Sequence, residues 1–147
     1  MRNKLMEVIA DYNKDFYAWL MKNADLLRQH KFNEVDIEHV AEELESMGKS
    51  EKRELTSRLT VLLAHLLKWK FQPALRSISS ISWKNTILTQ RIDIKELLED
   101  SPSLHYELGE RLAIAYEKAR LSAEDETGID KKKFSRILSF YFRAIAK

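Results

Sequence analysis

An all-α fold, an antiparallel bundle of five to six helices, is what this sequence predicts, and three observations carry the prediction. Three glycines and two prolines in 147 residues leave little material for hairpins or tight turns. Apolar residues recur three and four positions apart along the chain, the period of a helix with one buried face. Leu, Glu, Lys, Arg and Ala dominate, and these side chains lose little rotamer freedom in a helix. The length suits one domain with a real core, so a single domain over residues 1–147 is expected.

The first helix is predicted from about Asn13 to Gln29, with Phe16, Leu20, Asn23, Ala24 and Leu27 at helical spacing. Asp36 has the side-chain oxygen of an N-cap, and Ile37, Val40, Ala41, Leu44 and Met47 make one face of a short second helix that Gly48 would close. Ser50 would cap a third helix running to Gln72, with Glu51 and Glu54 at its positive end and Pro73 stopping it. Its apolar stripe is Leu55, Leu59, Leu62, Leu66 and Trp69. The serine-rich stretch 77–82 reads as a loop, and Ser82 as the cap of a fourth helix whose inward face is Trp83, Ile87, Ile94, Leu97 and Leu98. Ser101, Pro102 and Ser103 close that helix and open a fifth, with Pro102 at the first helical position. The fifth carries Leu104, Leu108, Leu112, Ala115 and Ala119 up to Gly128, and its alanines let a neighbour approach closely. Residues 131–147 read as a basic amphipathic helix with Phe134, Ile137, Leu138, Tyr141 and Ile145 on one side.

Charge is nearly balanced overall but not along the chain. Residues 1–48 hold six basic against ten acidic side chains, residues 49–95 ten against three, residues 96–130 three against ten, and residues 131–147 six against none. Alternating blocks suit neighbouring helices that attract one another, and a basic block of this size also suits phosphate. Without cysteine there is no disulfide framework, thiolate metal site or thiol nucleophile, and a reducing cytoplasm fits. No stretch approaches the roughly 18 apolar residues of a membrane span.

Chemistry is sought where polar residues border the apolar stripes. Arg58 and His65 lie beside the stripe of the third helix, and Glu54 precedes Arg58 by four, the spacing of an ion pair on one helix face. On the fourth helix Gln90 falls among the inward residues with Arg91 alongside, and a buried amide needs partners, which His65, Arg58 or Glu43 could supply. With Gln72, these residues form a candidate polar cluster: Glu43, Glu54, Arg58, His65, Gln72, Gln90 and Arg91. It reads either as a hydrogen-bond network fixing helix register, or as an interhelical pocket in which His65 acts as acid or base, Glu43 assists, and Arg58 and Arg91 hold an anion. His39, Glu42 and Glu43 have metal-ligand spacing, but the paired Glu-x-x-His motifs of carboxylate-bridged bundles are missing, so no metal and no cofactor is expected. No Gly-rich phosphate loop, GxSxG elbow or HExxH occurs. Lys68, Lys70, Arg76, Lys84 and Arg91 interleave with Trp69, Phe71 and Trp83, a pattern that could pair phosphates and stack bases.

The runs DFYAWLMKNADLLR, DIEHVAEELESMGKSEKRELTSRLTVLLAHLLKWKFQP, SWKNTILTQR, LLEDSPSL and AYEKARLSAEDETG resemble a bacterial family known as domain of unknown function twenty-nine, over about residues 15–128. The resemblance implies an all-helical fold and brings no established activity. Glu42, Glu43, Glu45, Arg58, His65, Lys68, Gln72, Gln90, Arg91, Ser101 and Arg120 match its polar pattern. His39 stands where the family usually has asparagine, and the tail lacks the family's proline-containing ending. The expected function is a cytoplasmic protein-interaction module that self-associates, rather than an enzyme, a reading motivated by the apolar tail and the absence of a catalytic motif. The tail itself suits docking on the acidic fifth helix, a membrane surface or a partner, including a second copy of the chain. The alternatives are a small hydrolase or anion-binding protein at the polar cluster, and nucleic-acid binding through residues 49–95.

Overall fold

The computed structural model describes residues 3–134, and of Arg76 only the backbone. Among these are five helices and no strand: α1 (Lys4–Lys14), α2 (Phe16–Arg28), α3 (Ile37–Phe71), α4 (Arg76–Asp100) and α5 (Leu108–Thr127). Short 3-10 turns occupy Phe32–Glu34, Pro73–Leu75, Pro102–Glu107 and Lys131–Phe134. The all-α class expected from glycine and proline scarcity is the class observed. The chain divides into two compact units, residues 1–50 and 51–147, with the division falling inside α3.

In the first unit the helix expected from Asn13 is two helices. Asp15 ends α1 by giving its N–H to the Asp11 carbonyl at 2.8 Å, and starts α2 by accepting from Ala18 N–H at 3.1 Å. One aspartate thus serves both caps, a role its short acceptor side chain suits. The missed helix α1 has its own signals, since the Asn3 side chain caps it and Leu5, Val8, Ile9 and Tyr12 repeat at helical spacing. α2 is rotated from the expected register: Trp19, Asn23 and Leu26 are buried, whereas Phe16, Leu20 and Leu27 are 40–44% exposed. Trp19 is the largest apolar side chain of α2, and its indole N–H finds a buried acceptor there, which decides the turn of the helix. α2 ends in a Schellman arrangement, with His30 N–H on Leu27 O and Lys31 N–H on Leu26 O, and His30 takes the left-handed φ of 57° usually given to glycine. Val8, Trp19, Leu26 and Val35 form the core, joined by Tyr12 and Val40.

The second and third predicted helices are one, the 35-residue α3. Gly48 is no cap; only Gly128, at φ 73°, takes the left-handed conformation among the glycines. Glycine inside a helix costs about 1 kcal/mol, less than leaving up to eight terminal backbone groups to find partners at a break. Ile37, Leu44 and Met47, expected in the core, are 60–66% exposed. Every residue from Leu44 to Glu51 is exposed.

The second unit is built on the latter part of α3. Leu55, Leu59, Leu62, Leu63 and Leu67 are fully or almost fully buried against Ile94 and Leu97 of α4 and Leu112, Ala115, Ala119 and Ala123 of α5. The three alanines stand four apart and shed all exposure, so α5 approaches closely, as its composition predicts. Arg58 meets Asp93 and Trp69 meets Trp83, which sets α4 antiparallel to α3. Lys52 meets Glu107 and Lys68 meets Glu126, and α5 returns in the direction of α3. The serine-rich stretch is not a loop: α4 begins at Arg76, directly after the turn at Pro73, and Ser82 lies inside it. Ser77 Oγ satisfies itself on the Ala74 carbonyl at 3.3 Å, so serine's local hydrogen bonding is accommodated in the first turn without stopping the helix. Pro102 opens a 3-10 turn, and Gly128 closes α5 with its N–H on Glu124 O at 2.8 Å. The tail begins with a 3-10 turn that buries Phe134 edge-on to Phe71 at 4.9 Å; the helix predicted beyond it, with Ile137, Leu138, Tyr141 and Ile145, lies outside the described residues.

Candidate functional site

Three constellations follow from this fold, and the first gathers Asp36, His39 and Glu43, which the sequence offers only separately, as a cap and as residues at metal-ligand spacing. Asp36 stands just before α3 and its Oδ1 accepts from His39 N–H at 3.4 Å, so it is the N-cap that its position predicts. It is also 3% exposed. Its Oδ2 takes both Trp19 Nε1–H at 3.0 Å and His39 Nδ1 at 2.7 Å, and its N–H goes to Asn23 Oδ1 at 2.9 Å. A carboxylate on Nδ1 fixes the proton there, leaving Nε2 as the acceptor of the neutral ring. Tyr12 stacks on that imidazole with centroids 3.9 Å apart and donates to Glu43 Oε1 at 2.6 Å. The hydrogen bond to the Glu43 carboxylate, reinforced by burial, pushes the Tyr12 hydroxyl up to about 12. Chemically this is a latch tying α1, α2 and α3 together. The 500 Å³ cleft of this unit is lined by Lys4, Glu7, Asp11 and Lys22 among others, and not by His39.

The second constellation holds part of the predicted cluster. Arg58 gives Nε–H to Glu54 Oε1 at 3.0 Å and Nη1–H to Asp93 Oδ2 at 2.7 Å. The Glu54–Arg58 pair expected from spacing is present, and Asp93 is a second carboxylate that sequence reasoning did not name. Two carboxylates neutralise the guanidinium within a cleft of about 300 Å³ that also carries Glu51, Glu96 and Asp100. His65 is half-buried with Nδ1 on the Val61 carbonyl at 2.8 Å, one turn back. Gln90 is half-buried and its Oε1 meets no hydrogen-bond partner among the described residues, so neither His65 nor Arg58 donates to it. Gln72 is half-buried just past the end of α3, its N–H on Lys68 O. Glu43 belongs to the first unit, where Tyr12 is its partner. The structure therefore joins Glu54 with Arg58, and gives His65 and Gln90 separate surroundings. Among the described residues, no three His, Asp or Glu side chains converge as a metal would need.

Two ion pairs inside the second unit join the basic block to the acidic one, Lys52 with Glu107 and Lys68 with Glu126, whereas Arg58 finds its carboxylates within its own block. The ammonium of nearly buried Lys68, 2.6 Å from Glu126, holds that carboxyl below its usual range.

The third constellation is on α4. Trp83 is buried and Ile81, Leu88 and Ile92 are 50–75% exposed, placed i, i+7 and i+11 on one outward face. Beside them Leu66, Trp69, Lys84, Ile87, Leu88 and Arg91 line a cleft of about 370 Å³. Lys84 lies over the Trp69 ring at 5.5 Å, a cation–π contact, and Arg91 is exposed. No acidic residue lines this cleft. Arg91 of the predicted cluster thus borders an apolar cleft, separate from the carboxylates around Arg58. Its lining can take an apolar body carrying negative charge.

No helix among the described residues is long and apolar enough to cross a membrane. No curated protein and no solved structure matches the chain. A family model, Domain of unknown function DUF29, matches residues 12–147. That match covers most of the chain, and the chain belongs to that family.

Proposed function

We propose that this protein is an interaction module that associates with itself. The observation carrying the reading is the apolar surface left uncovered on helices that already have a core: Tyr17 and Met21 on α2, Ile37, Leu44 and Met47 on α3, and Ile78, Ile81 and Leu88 on α4 are all more than half exposed. Single exposed apolar residues are ordinary, but runs at helical spacing on several helices make contiguous strips of the kind that bind other proteins. The rival readings have less support. Arg58 is neutralised by Glu54 and Asp93, which removes its charge from anion binding. In the basic block Lys52, Arg58 and Lys68 are held by carboxylates, which leaves the nucleic-acid reading chiefly to exposed Lys84 and Arg91 beside the cleft at Trp69. Light scattering across a concentration series tests the proposal: the weight-average mass should rise well above the 17.3 kDa of one chain. A mass that stays at one chain throughout overturns it.

A further inference from the structure

The uncovered strips are not alike in charge, and this difference identifies which of them pair. On the first turns of α3, Ile37, Ala41 and Leu44 share an exposed face at i, i+4 and i+7, and the exposed carboxylates Glu38, Glu42 and Glu45 run beside it. On α4, Ile81, Leu88 and Ile92 share a face with a similar period, and Lys84, Arg91 and Lys95 run beside it. Lys95 reaches Glu99 only at 3.8 Å with both groups well exposed, and Lys84 and Arg91 meet no carboxylate among the described residues. Among the described residues Ile37, Leu44, Ile81, Leu88 and Ile92 are all at least half exposed, and opposite charge makes the two faces complements of one another. Resting on the self-associating reading above, we infer that the acidic face of α3 in one copy docks on the basic face of α4 in another. Ile37 and Leu44 then pack along Ile81, Leu88 and the cleft at Trp69, while Glu38, Glu42 and Glu45 meet Lys84, Arg91 and Lys95.

Helix in groove with rim charges of opposite sign is a recurrent mode of recognition, the apolar residues giving affinity and the charges giving register and partner choice. Two identical basic faces would repel, as would two acidic ones, so like charge disfavours pairing each face with itself. The interface joins two different patches, so it closes as a two-fold pair when both reciprocal contacts form and runs head to tail when only one does.

The test is a mixing experiment on the full chain. In one variant Lys84→Glu is combined with Arg91→Glu; in another Glu38→Lys is combined with Glu45→Lys. All four side chains are exposed, and circular dichroism melts check that both variants fold. Each variant alone should dissociate at least tenfold more readily than the parent in sedimentation velocity, and an equimolar mixture should recover association, because it restores one native pair of faces and one swapped pair. Raising salt should weaken the parent assembly. Association unchanged by either double reversal, or lost in both and not regained on mixing, overturns this pairing and leaves the self-associating reading standing. A parent chain that is monomeric throughout overturns both, whether or not its basic face then retards a single-stranded oligonucleotide in a gel.

Discussion

Tyr12 donates to Glu43 across 31 positions of sequence, and the consequence is measurable on a single proton. Because the folded hydroxyl is raised to about 12, the bond's contribution to stability is fully present below the ordinary value of 10.0 and is lost as pH rises through about 12. Tyr12 should therefore ionise about two pH units late in a phenolate absorbance titration, and Glu43→Gln should bring it back toward 10.0. A titration curve that Glu43→Gln leaves unchanged would contradict the bond. The same latch shows what sequence can and cannot say about single residues. Asp36 was legible as a cap because capping is local, a matter of one acceptor three positions before an N–H. That the same carboxylate also receives Trp19 and His39 was not, since Trp19 arrives from another helix. Asn23 held the one local signal, an amide among apolar neighbours, and its buried partner could be known only from the fold. For the proposed cluster the position is similar: Glu54 with Arg58 was legible at four residues' spacing, whereas Asp93, 35 positions away from Arg58, was invisible.

At the scale of elements, the punctuation read correctly was the kind with a single meaning. Pro73 cannot extend a helix, and Gly128 sits at a positive φ after the last turn of α5. Gly48 was ambiguous, because glycine both ends helices and survives inside them. The two readings differ in what a methyl group would do. A Cβ at Gly48 meets nothing within 4 Å and the backbone there is helical, so Gly48→Ala should stabilise the protein by about 1 kcal/mol, seen as a higher urea midpoint with unchanged slope. Gly128→Ala should do the opposite by a similar amount, since alanine pays about 1–2 kcal/mol for the left-handed conformation. Destabilisation at Gly48 would mean that α3 is broken there. The stripes of α3, α4 and α5 in the second unit were largely legible because three helices bury one side each, which gives a clean period. The face of α2 was misplaced by one position because its own pattern offers two apolar arcs, and only the acceptor for Trp19 chooses between them.

For the whole molecule, length suggested a single domain and the chain forms two compact units, so the question becomes one of cooperativity. We propose that the two unfold together, since α3 runs without interruption through the division. Of the three tryptophans, Trp19 reports on the first unit, and Trp69 and Trp83 report on the second. With Trp69→Phe and Trp83→Phe in place, the fluorescence of Trp19 should follow the same urea transition as far-ultraviolet circular dichroism, and two separated midpoints would establish two domains. One stretch of that helix has a further consequence. From Leu44 to Glu51 no side chain is covered, so the amides there are shielded by nothing beyond the helical ladder itself. Deuterium should enter this stretch well before it reaches the leucine-packed part of α3, and trypsin should find Lys49 early. Where a neighbouring copy seats itself along Ile37 to Leu44, isotope uptake over the start of this stretch becomes a gauge of assembly, slowing as the solution is concentrated.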